Sequence, residues 1–471
     1  MDRAAAFEAE GRGFESLQAR QIQAGGAGRD RSSTWTTADC RLRRAVLAAP
    51  ASAIGNPQSD NLKSGGRAAL PVEELMSTST TSVTGKVAAA LDGLHIELPS
   101  WGFADTGTRF GKFLQPAART IEEKFADAGQ VHAFTGACPT LALHVLWDVP
   151  AGTKADDIRR LGQRYGIQAG AINPNVFQDQ IYKYGSLANE DASVRQHALD
   201  HLLDSVRIAK ELGSRDISLW FADGSSYPGT ANIRVRKHWM TEGLRQTHAA
   251  LAPDQRLLVE YKPFEPAFYH TDIADWGMAL LLARAAGPQA RVLVDTGHHY
   301  QAQNIEQIVA WLLDEQMLGG FHFNDRRYAD DDLTLGSIDP YQLFRIFAEI
   351  CAYEWETRSK ADIAYMVDQS HNLKNKIEEM IQTVTTAQEL YAKAAMVDFA
   401  KLAETRQEQR LIDAEDVYKD AFSTDVRPAI REWRRARGLG EDPLAAFRAS
   451  GYLDRITHER AGRAAAASSY A

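Results

Sequence analysis

Eight short apolar runs recur along this chain, each trailed by a stretch with helical periodicity, and that alternation limits the fold more than any other feature. The runs are 94–99, 141–147, 168–172, 215–221, 256–261, 291–294, 320–323 and 363–367. Strands that are apolar throughout are buried on both faces, as in parallel sheets covered by helices. Between them, Ile305, Ile308, Val309, Leu312 and Leu313 recur at helical spacing behind Asn304, a good N-cap residue. Leu202, Val206 and Ala209 do the same within 190–212. Eight such units over this length predict an α/β fold closed into a (β/α)8 TIM barrel rather than an open doubly wound sheet.

The flanks differ in texture. Residues 1–85 are rich in Gly, Ala, Ser, Thr and Arg, and end near the polar run 77–82. So few apolar groups cannot offset the entropy of ordering. The expectation is a disordered N-terminal extension over 1–85, with Met76 as an alternative start and a docking or targeting segment as the rival reading. The barrel then spans 86–372 and a C-terminal helical extension 373–471. Helices are expected over 373–402 and 411–437, wrapping the barrel or joining subunits, with a frayed Ala-rich end at 461–471.

Composition removes several function classes. The 471 residues carry a net charge of −9, which argues against nucleic acid as a partner. Cys40, Cys138 and Cys351 lack metal spacing and read as reduced thiols. No apolar run is long enough to span a bilayer, and Met1-Asp2-Arg3 is not followed by the apolar segment of a signal peptide. A cytoplasmic protein without a membrane partner is expected.

The polar residues gather where the strands run out. The fifth run gives Glu260 and Lys262, two apart and therefore on one face of a strand. The sixth ends in Asp295, followed by Gly297, His298 and His299. The seventh carries His322, then Asn324 and Asp325, with Asp330, Asp331 and Asp332 in the next loop. The eighth leads into Asp368, Gln369, Ser370 and His371. In a barrel these ends share the mouth that holds the active site. Singly, each has a plainer reading: a capping or turn aspartate, a solvated acidic loop, a hydrogen-bonded core histidine. Caps do not explain the set. So many unpaired carboxylates would repel and resist burial, and bound divalent cations are the simplest resolution. Carboxylates with a few imidazoles suit Mn²⁺, Mg²⁺ or Co²⁺ better than a thiolate-rich zinc site does.

The sequence also resembles the L-rhamnose isomerases of the broad-specificity bacterial type, within the xylose-isomerase-like barrels. The resemblance rests on Glu260-Tyr261-Lys262-Pro263, Asp295-Thr296-Gly297-His298-His299, His322-Phe323-Asn324-Asp325 with Asp330-Asp331-Asp332, and Asp368-Gln369-Ser370-His371-Asn372. Pro99-Ser100-Trp101-Gly102, Thr108-Arg109-Phe110, His144-Val145-Leu146-Trp147-Asp148, Tyr182-Lys183-Tyr184-Gly185 and Trp220-Phe221-Ala222-Asp223-Gly224 also fit. It covers about 85 to 455. The first 75 residues have no counterpart, and Arg326-Arg327 is more basic than the family pattern.

The resemblance implies two divalent metals per subunit, Mn²⁺ first, with Co²⁺, Mg²⁺ or Zn²⁺ as alternatives. It implies that Glu260, Asp295, His322 and Asp368 hold a structural metal, and His298, Asp330 and Asp332 a catalytic one. It further implies that Lys262 polarises the carbonyl-side oxygen and that His144 hydrogen-bonds the sugar. Trp101, Phe177 and Trp220 would wall the pocket, with Phe110 on a loop reaching a neighbouring subunit in a homotetramer. Asp330 and Asp368 join Lys262 and His144 as catalytic candidates. Trp147 reads as core.

Aldose–ketose isomerisation moves a hydrogen between C1 and C2 while charge builds on two oxygens, and metals with Lys262 suit that charge. A hydride shift and an enediol route both remain open. The rivals are a xylose- or ketose-type isomerase or epimerase, a metal-dependent phosphoesterase or endonuclease, and a non-catalytic sugar-binding barrel.

Overall fold

In the computed structural model, which describes residues 82–105, 116–265, 267–370 and 373–463, eight parallel strands close on themselves in sequence order. They are β1 (Ile96–Pro99), β2 (Thr140–His144), β3 (Gln168–Asn173), β4 (Asp216–Leu219), β5 (Arg256–Glu260), β6 (Ala290–Asp295), β7 (Leu318–Phe323) and β8 (Ala364–Val367). All eight expected strands are present within a few residues of their expected ends. Helix α1 (Val83–Asp92) precedes β1. After the strands in turn come α2 (Ile121–Thr135), α3 (Ala155–Tyr165), α4 (Ala192–Leu212), α5 (Ile233–Ala249), α6 (Trp276–Ala286), α7 (Ile305–Asp314), α8 (Pro340–Thr357) and α9 (Lys376–Ala394).

Local signals explain the helix starts. Asn304 caps α7, its side chain accepting from Gln307 N at 2.8 Å. Thr120 and Glu123 form a reciprocal capping box on α2.

Alternate strand residues point inward. Ala142, Ala171, Leu258, Leu293 and Met366 form a small apolar layer inside the barrel. Two residues further along their strands stand His144, Asn173, Glu260, Asp295 and Asp368. The polar mouth therefore sits directly on a packed floor. Below that floor, Arg256 pairs with Asp216 through Nε at 2.7 Å. The larger core lies between strands and helices.

Two features depart from expectation. Lys376–Ala394, read from sequence as the start of an outer extension, packs against α8 and α2 and completes the helical ring as its eighth member. Expected helices 373–402 and 411–437 are each divided: α9 is followed by α10 (Phe399–Gln407), and α11 (Leu411–Ser423) by α12 (Arg427–Ala436). Asp398 caps a new helix, accepting from Lys401 N at 3.0 Å. Helices α13 (Pro443–Ala449) and α14 (Tyr452–Glu459) complete the chain's described part, and a two-stranded ribbon, Gly224–Ser225 with His270–Thr271, was not foreseen. The expected disordered extension lies outside the described residues except for 82–85, where Ser82 caps α1. The end expected to fray, 461–471, is described only to Arg463, which donates to Glu123 at 3.1 Å.

The last turns are fastened by charge. Arg460 donates to both oxygens of Asp127, at 2.8 and 3.0 Å, and Tyr452 Oη donates to the same carboxylate at 2.8 Å. The two charged side chains are 4% and 1% exposed, so removing one leaves the other uncompensated. Arg460→Met should cost about 3–5 kcal/mol of stability by urea denaturation, while Asp127→Leu/Arg460→Met should recover much of the loss. A silent Arg460→Met would show that the last helix is not part of the cooperative unit. A second test uses pH. Burial opposes ionisation of Glu123, yet its bonds from Arg463 and from the Arg119 backbone hold its carboxyl down at about 2, against 4.5 ordinarily. A depressed folded-state value means stability that is complete above pH 4.5 and lost as pH falls towards 2. Arg463→Ala should lower the melting temperature at pH 7 and progressively less across that window.

Candidate metal centre and sugar pocket

Four adjacent strands deliver the charged half of the mouth. Asp295 on β6 stands in register with His322 on β7. Glu260 ends β5, and Asp368 follows β8, its N–H donating to Phe323 O at 3.0 Å. One ligand atom from each of Glu260, Asp295, His322 and Asp368 lies within 4.8 Å of the others. His322 Nδ1 is 3.2 Å from Glu260 Oε2 and 3.7 Å from Asp368 Oδ2. These are the residues expected to hold the first metal.

His298, Asp330 and Asp332 lie alongside. His298 Nδ1 hydrogen-bonds the Tyr261 carbonyl at 3.0 Å, which makes Nδ1 the protonated nitrogen. Nε2 then faces Asp330 Oδ1 at 3.3 Å and Asp295 Oδ2 at 3.8 Å. A ring held through one nitrogen with the other presented to carboxylates is the arrangement of a metal-ligating histidine. Asp330 also accepts from Lys262 Nζ.

The loop carrying Asp330 and Asp332 is laced down. Asp325 and Leu333 exchange backbone bonds of 2.8 Å, and Asp331 accepts from Arg327 N and Tyr328 N, both at 2.6 Å. Asp331 therefore shapes the loop. Asp332 takes a left-handed backbone, φ 48°, which aspartate tolerates better than most residues. The unusually basic loop also has a structural account. Arg326 is buried and donates to the carbonyls of Thr296, His299 and Tyr300 at 2.9, 2.7 and 3.1 Å. It stitches the acidic loop to the loop bearing His298.

The electrostatics are those of an over-charged buried site. Burial, opposed by His298 and reinforced by Glu260 and Asp368, raises the Asp295 carboxyl to about 7. Burial and the Asp330 carboxylate push Asp332 well above the carboxylate range. Burial disfavours charge on Glu260, but His322 and His298 bring it down to about 2. Burial is likewise outweighed at His322, which Glu260 lifts to about 9. The residues fit a divalent cation. Glu260 Oε1 and His322 Nδ1 are buried without a well-aligned hydrogen bond, their nearest polar neighbours, His298 Nδ1 and Glu260 Oε2, standing 3.2 Å away within the same cluster. The mixed carboxylate and imidazole set suits hard to borderline divalent ions.

The other half of the mouth is aromatic. The cavity, about 630 Å³, is walled there by Trp101, His144, Trp147, Phe177 and Trp220. Trp147, read from sequence as core, instead stacks on His144 at 3.8 Å between ring centroids and lines the pocket. Its place three residues after His144 in one motif was the available signal. Burial lowers His144 to about 4, so its ring is neutral at neutral pH. Asp148 holds His144 N at 2.7 Å and accepts from Lys124 Nζ at 2.5 Å. Trp101 is more than a wall, since its Nε1 donates to Asp368 Oδ1 at 2.7 Å. Lys262 stands 5.2 Å over the Trp220 ring, and although burial opposes its charge, Asp330 and Asp332 raise its pKa. Asn173, Ser218 and Glu265 also line the cavity and carried no signal in sequence. Phe110, His371 and Asn372 lie outside the described residues.

A family model described as a xylose isomerase-like TIM barrel matches residues 134–350. A "Probable sugar isomerase" of Rhizobium meliloti is 40% identical over 385 residues, covering 80% of this chain and 88% of that protein. Another of the same description, from Mesorhizobium japonicum, is 38% identical over 384 residues, covering 79% and 88%. A xylose isomerase of Thermus thermophilus is 27% identical over 206 residues, covering 40% and 53%. With the closed barrel, the acidic mouth and relatives matched over most of their length, the chain belongs to the xylose isomerase-like TIM barrel family of sugar isomerases and epimerases.

Proposed function

We propose that this chain is a divalent-metal-dependent aldose–ketose isomerase that interconverts L-rhamnose and L-rhamnulose and tolerates other aldoses. The observation that carries the reading is the meeting, at one barrel mouth, of a metal-type cluster, a buried lysine and an aromatic wall around a cavity of about 630 Å³. That volume accommodates a monosaccharide with its ions.

Glu260, Asp295, His322 and Asp368 would hold one metal, and His298, Asp330 and Asp332 a second, with Mn²⁺ ahead of Co²⁺, Mg²⁺ or Zn²⁺. When bound, the metals supply positive charge beside the two oxygens that exchange bond order. Lys262 donates to the carbonyl-side oxygen, its ammonium passing from Asp330 to substrate. His144 binds a sugar hydroxyl through Nε2, because its Nδ1 is committed to the Val145 carbonyl at 3.1 Å. Trp101, Phe177 and Trp220 exclude water and meet the apolar edge of the sugar, joined by Trp147, with Phe110 contributed by a neighbouring copy. On the enediol route, Asp330 and Asp368 would take and return the proton.

The reading extends to a homotetramer in the cytoplasm that engages neither nucleic acid nor membrane. The aromatic side chains Tyr227, Phe268 and Tyr328 stand exposed on loops around the mouth, and such surface suits burial by another copy. No helix among the described residues is long and apolar enough to cross a membrane.

The deciding experiment is ketose formation from L-rhamnose with Mn²⁺ before and after chelation. Activity should vanish on metal removal and the melting temperature should fall, because a ligand bound only by the native state stabilises it. Full turnover in protein shown metal-free by elemental analysis would sink the reading. Across a panel of aldoses, exchange of the 6-methyl for a hydroxymethyl should change kcat/KM by only about 10–200-fold, the ~1–3 kcal/mol that an apolar wall discriminates. A strong preference for xylose would point to the xylose-type rival.

The two metals should separate by mutation. Asp332→Asn should remove one metal and most of kcat while the fold persists. Asp368→Asn should weaken the other metal, reduce activity and lower thermal stability. Two metals and near-normal turnover in Asp332→Asn would return the acidic loop to a solvated role.

A further inference from the structure

Asn324 follows β7 between the two carboxylates supplied by β6 and β8. Its side chain is 2% exposed. Its amide nitrogen lies 3.0 Å from Asp295 Oδ1, 3.2 Å from Asp295 Oδ2 and 3.0 Å from the Asp368 carbonyl oxygen. The Asp368 carbonyl can only accept, and Asp295 Oδ1 already accepts from Gly297 N at 2.6 Å, so the NH₂ group is the one that faces them. The amide oxygen is thereby turned the other way, where it has no hydrogen-bond partner. A buried carbonyl without a partner is unfavourable. The fold tolerates it in an arrangement that aims two N–H groups at two cluster residues.

The surroundings are built around that orientation. Asn324 N donates to Thr296 Oγ1 at 3.0 Å, and Thr296 Oγ1 donates back to Asn324 O at 2.7 Å. This two-way clasp fixes the backbone of Asn324 against the residue that follows Asp295. The next residue is Gly297. A Cβ there would lie 2.3 Å from Asn324 Oδ1, closer than atoms approach. Gly297 is not among the residues with positive φ, so space and not backbone freedom requires a glycine.

We infer that Asn324 is a positioning residue for the metal: its amide fixes the plane of the Asp295 carboxylate and the backbone of Asp368, and Gly297 is the space that lets it do so. A carboxylate gripped at both oxygens from one side presents its remaining lone pairs in one direction, whereas a free one swings about its side-chain torsions. Ligands set in advance bind metal more tightly than ligands ordered on binding. The inference also explains why Asp-Thr-Gly and Asn sit where they do in two separate motifs: hydroxyl, gap and amide form one device that spans three strand ends.

The inference rests on the reading of Glu260, Asp295, His322 and Asp368 as metal ligands, and titration of metal-free protein with Mn²⁺ distinguishes the two. Wild-type protein that takes up no Mn²⁺ overturns that reading and this inference with it. If wild type binds, Asn324→Ala should bind Mn²⁺ about 10–100-fold more weakly, the usual consequence of losing an outer partner of a ligand. The metal-free melting temperature should stay close to wild type. At saturating Co²⁺ its visible absorption spectrum should differ from wild type, since Asp295 then coordinates differently; a purely structural role would leave the spectrum unmoved. Gly297→Ala should weaken Mn²⁺ binding in the same direction by displacing the amide. In Asn324→Ala/Gly297→Ala the second change should add almost nothing, because the group it displaces is already absent. Wild-type affinity and spectrum in Asn324→Ala, or effects of the two substitutions that multiply, would overturn the inference. Should Asn324→Ala fail to fold, Gly297→Ala decides alone: folded protein with wild-type affinity counts against it.

Discussion

Concentrating negative charge in a place that excludes water is the constraint around which this molecule is organised. Glu260, Asp295, Asp330, Asp332 and Asp368 converge on a mouth only a few residues above a packed apolar floor. Carboxylates do not tolerate such proximity in low dielectric without compensation. The protein's own compensation is partial. Burial and mutual repulsion raise the pKa of Asp295 and Asp332, and the neighbouring carboxylates raise those of His298, His322 and Lys262. The same compensation prepares the site for cations, because a metal can replace protons and histidine charge together.

Rigidity follows from that constraint. A repulsive cluster would relax by moving apart if its supports could move, so each support is anchored. Parallel strands in register hold Glu260, Asp295 and His322. Arg326 and Asp325 pin the loop that carries Asp330 and Asp332, and Trp101 holds Asp368 from across the seam between β8 and β1. The outer helices serve the same end at longer range: α9 closes the ring, and the Asp127–Arg460 pair fastens the last helix to α2.

What could be read from the sequence follows from the same physics. Strands buried on both faces must be apolar throughout, so all eight were visible as runs, and the charged residues stood out because they interrupt that texture at one end. Residues whose part depends on partners distant in sequence were not visible. Trp147 reads as core until its stacking on His144 is seen. Arg326 is only an unexpectedly basic residue in its loop until three carbonyls from another loop are seen around it. Lys376–Ala394 has the same amphipathic pattern whether it closes a barrel or decorates one, and only its packing between α8 and α2 decides. The division of the C-terminal helices depends on caps such as Asp398, which resemble the many aspartates that cap nothing.

The rings named above gather at the ends of β1 to β4 and the cluster ligands at the ends of β5 to β8, although Asp105, Arg119 and Lys124 also line the first half and Phe268 the second. This arrangement bears on how such a chain can change over generations. Substitutions at Phe177 or Trp220 reshape the cavity without touching a cluster carboxylate, so variation can accumulate there one step at a time. The charged half has no such freedom, because Asp330 is shared between His298 and Lys262, and Asp295 between His298 and Asn324. Trp101 is the exception on the aromatic side, since its indole grips Asp368. A lineage descending from this architecture would drift readily in which molecule it accepts and slowly in what it does to it, and the seam at Trp101 is where the two rates meet.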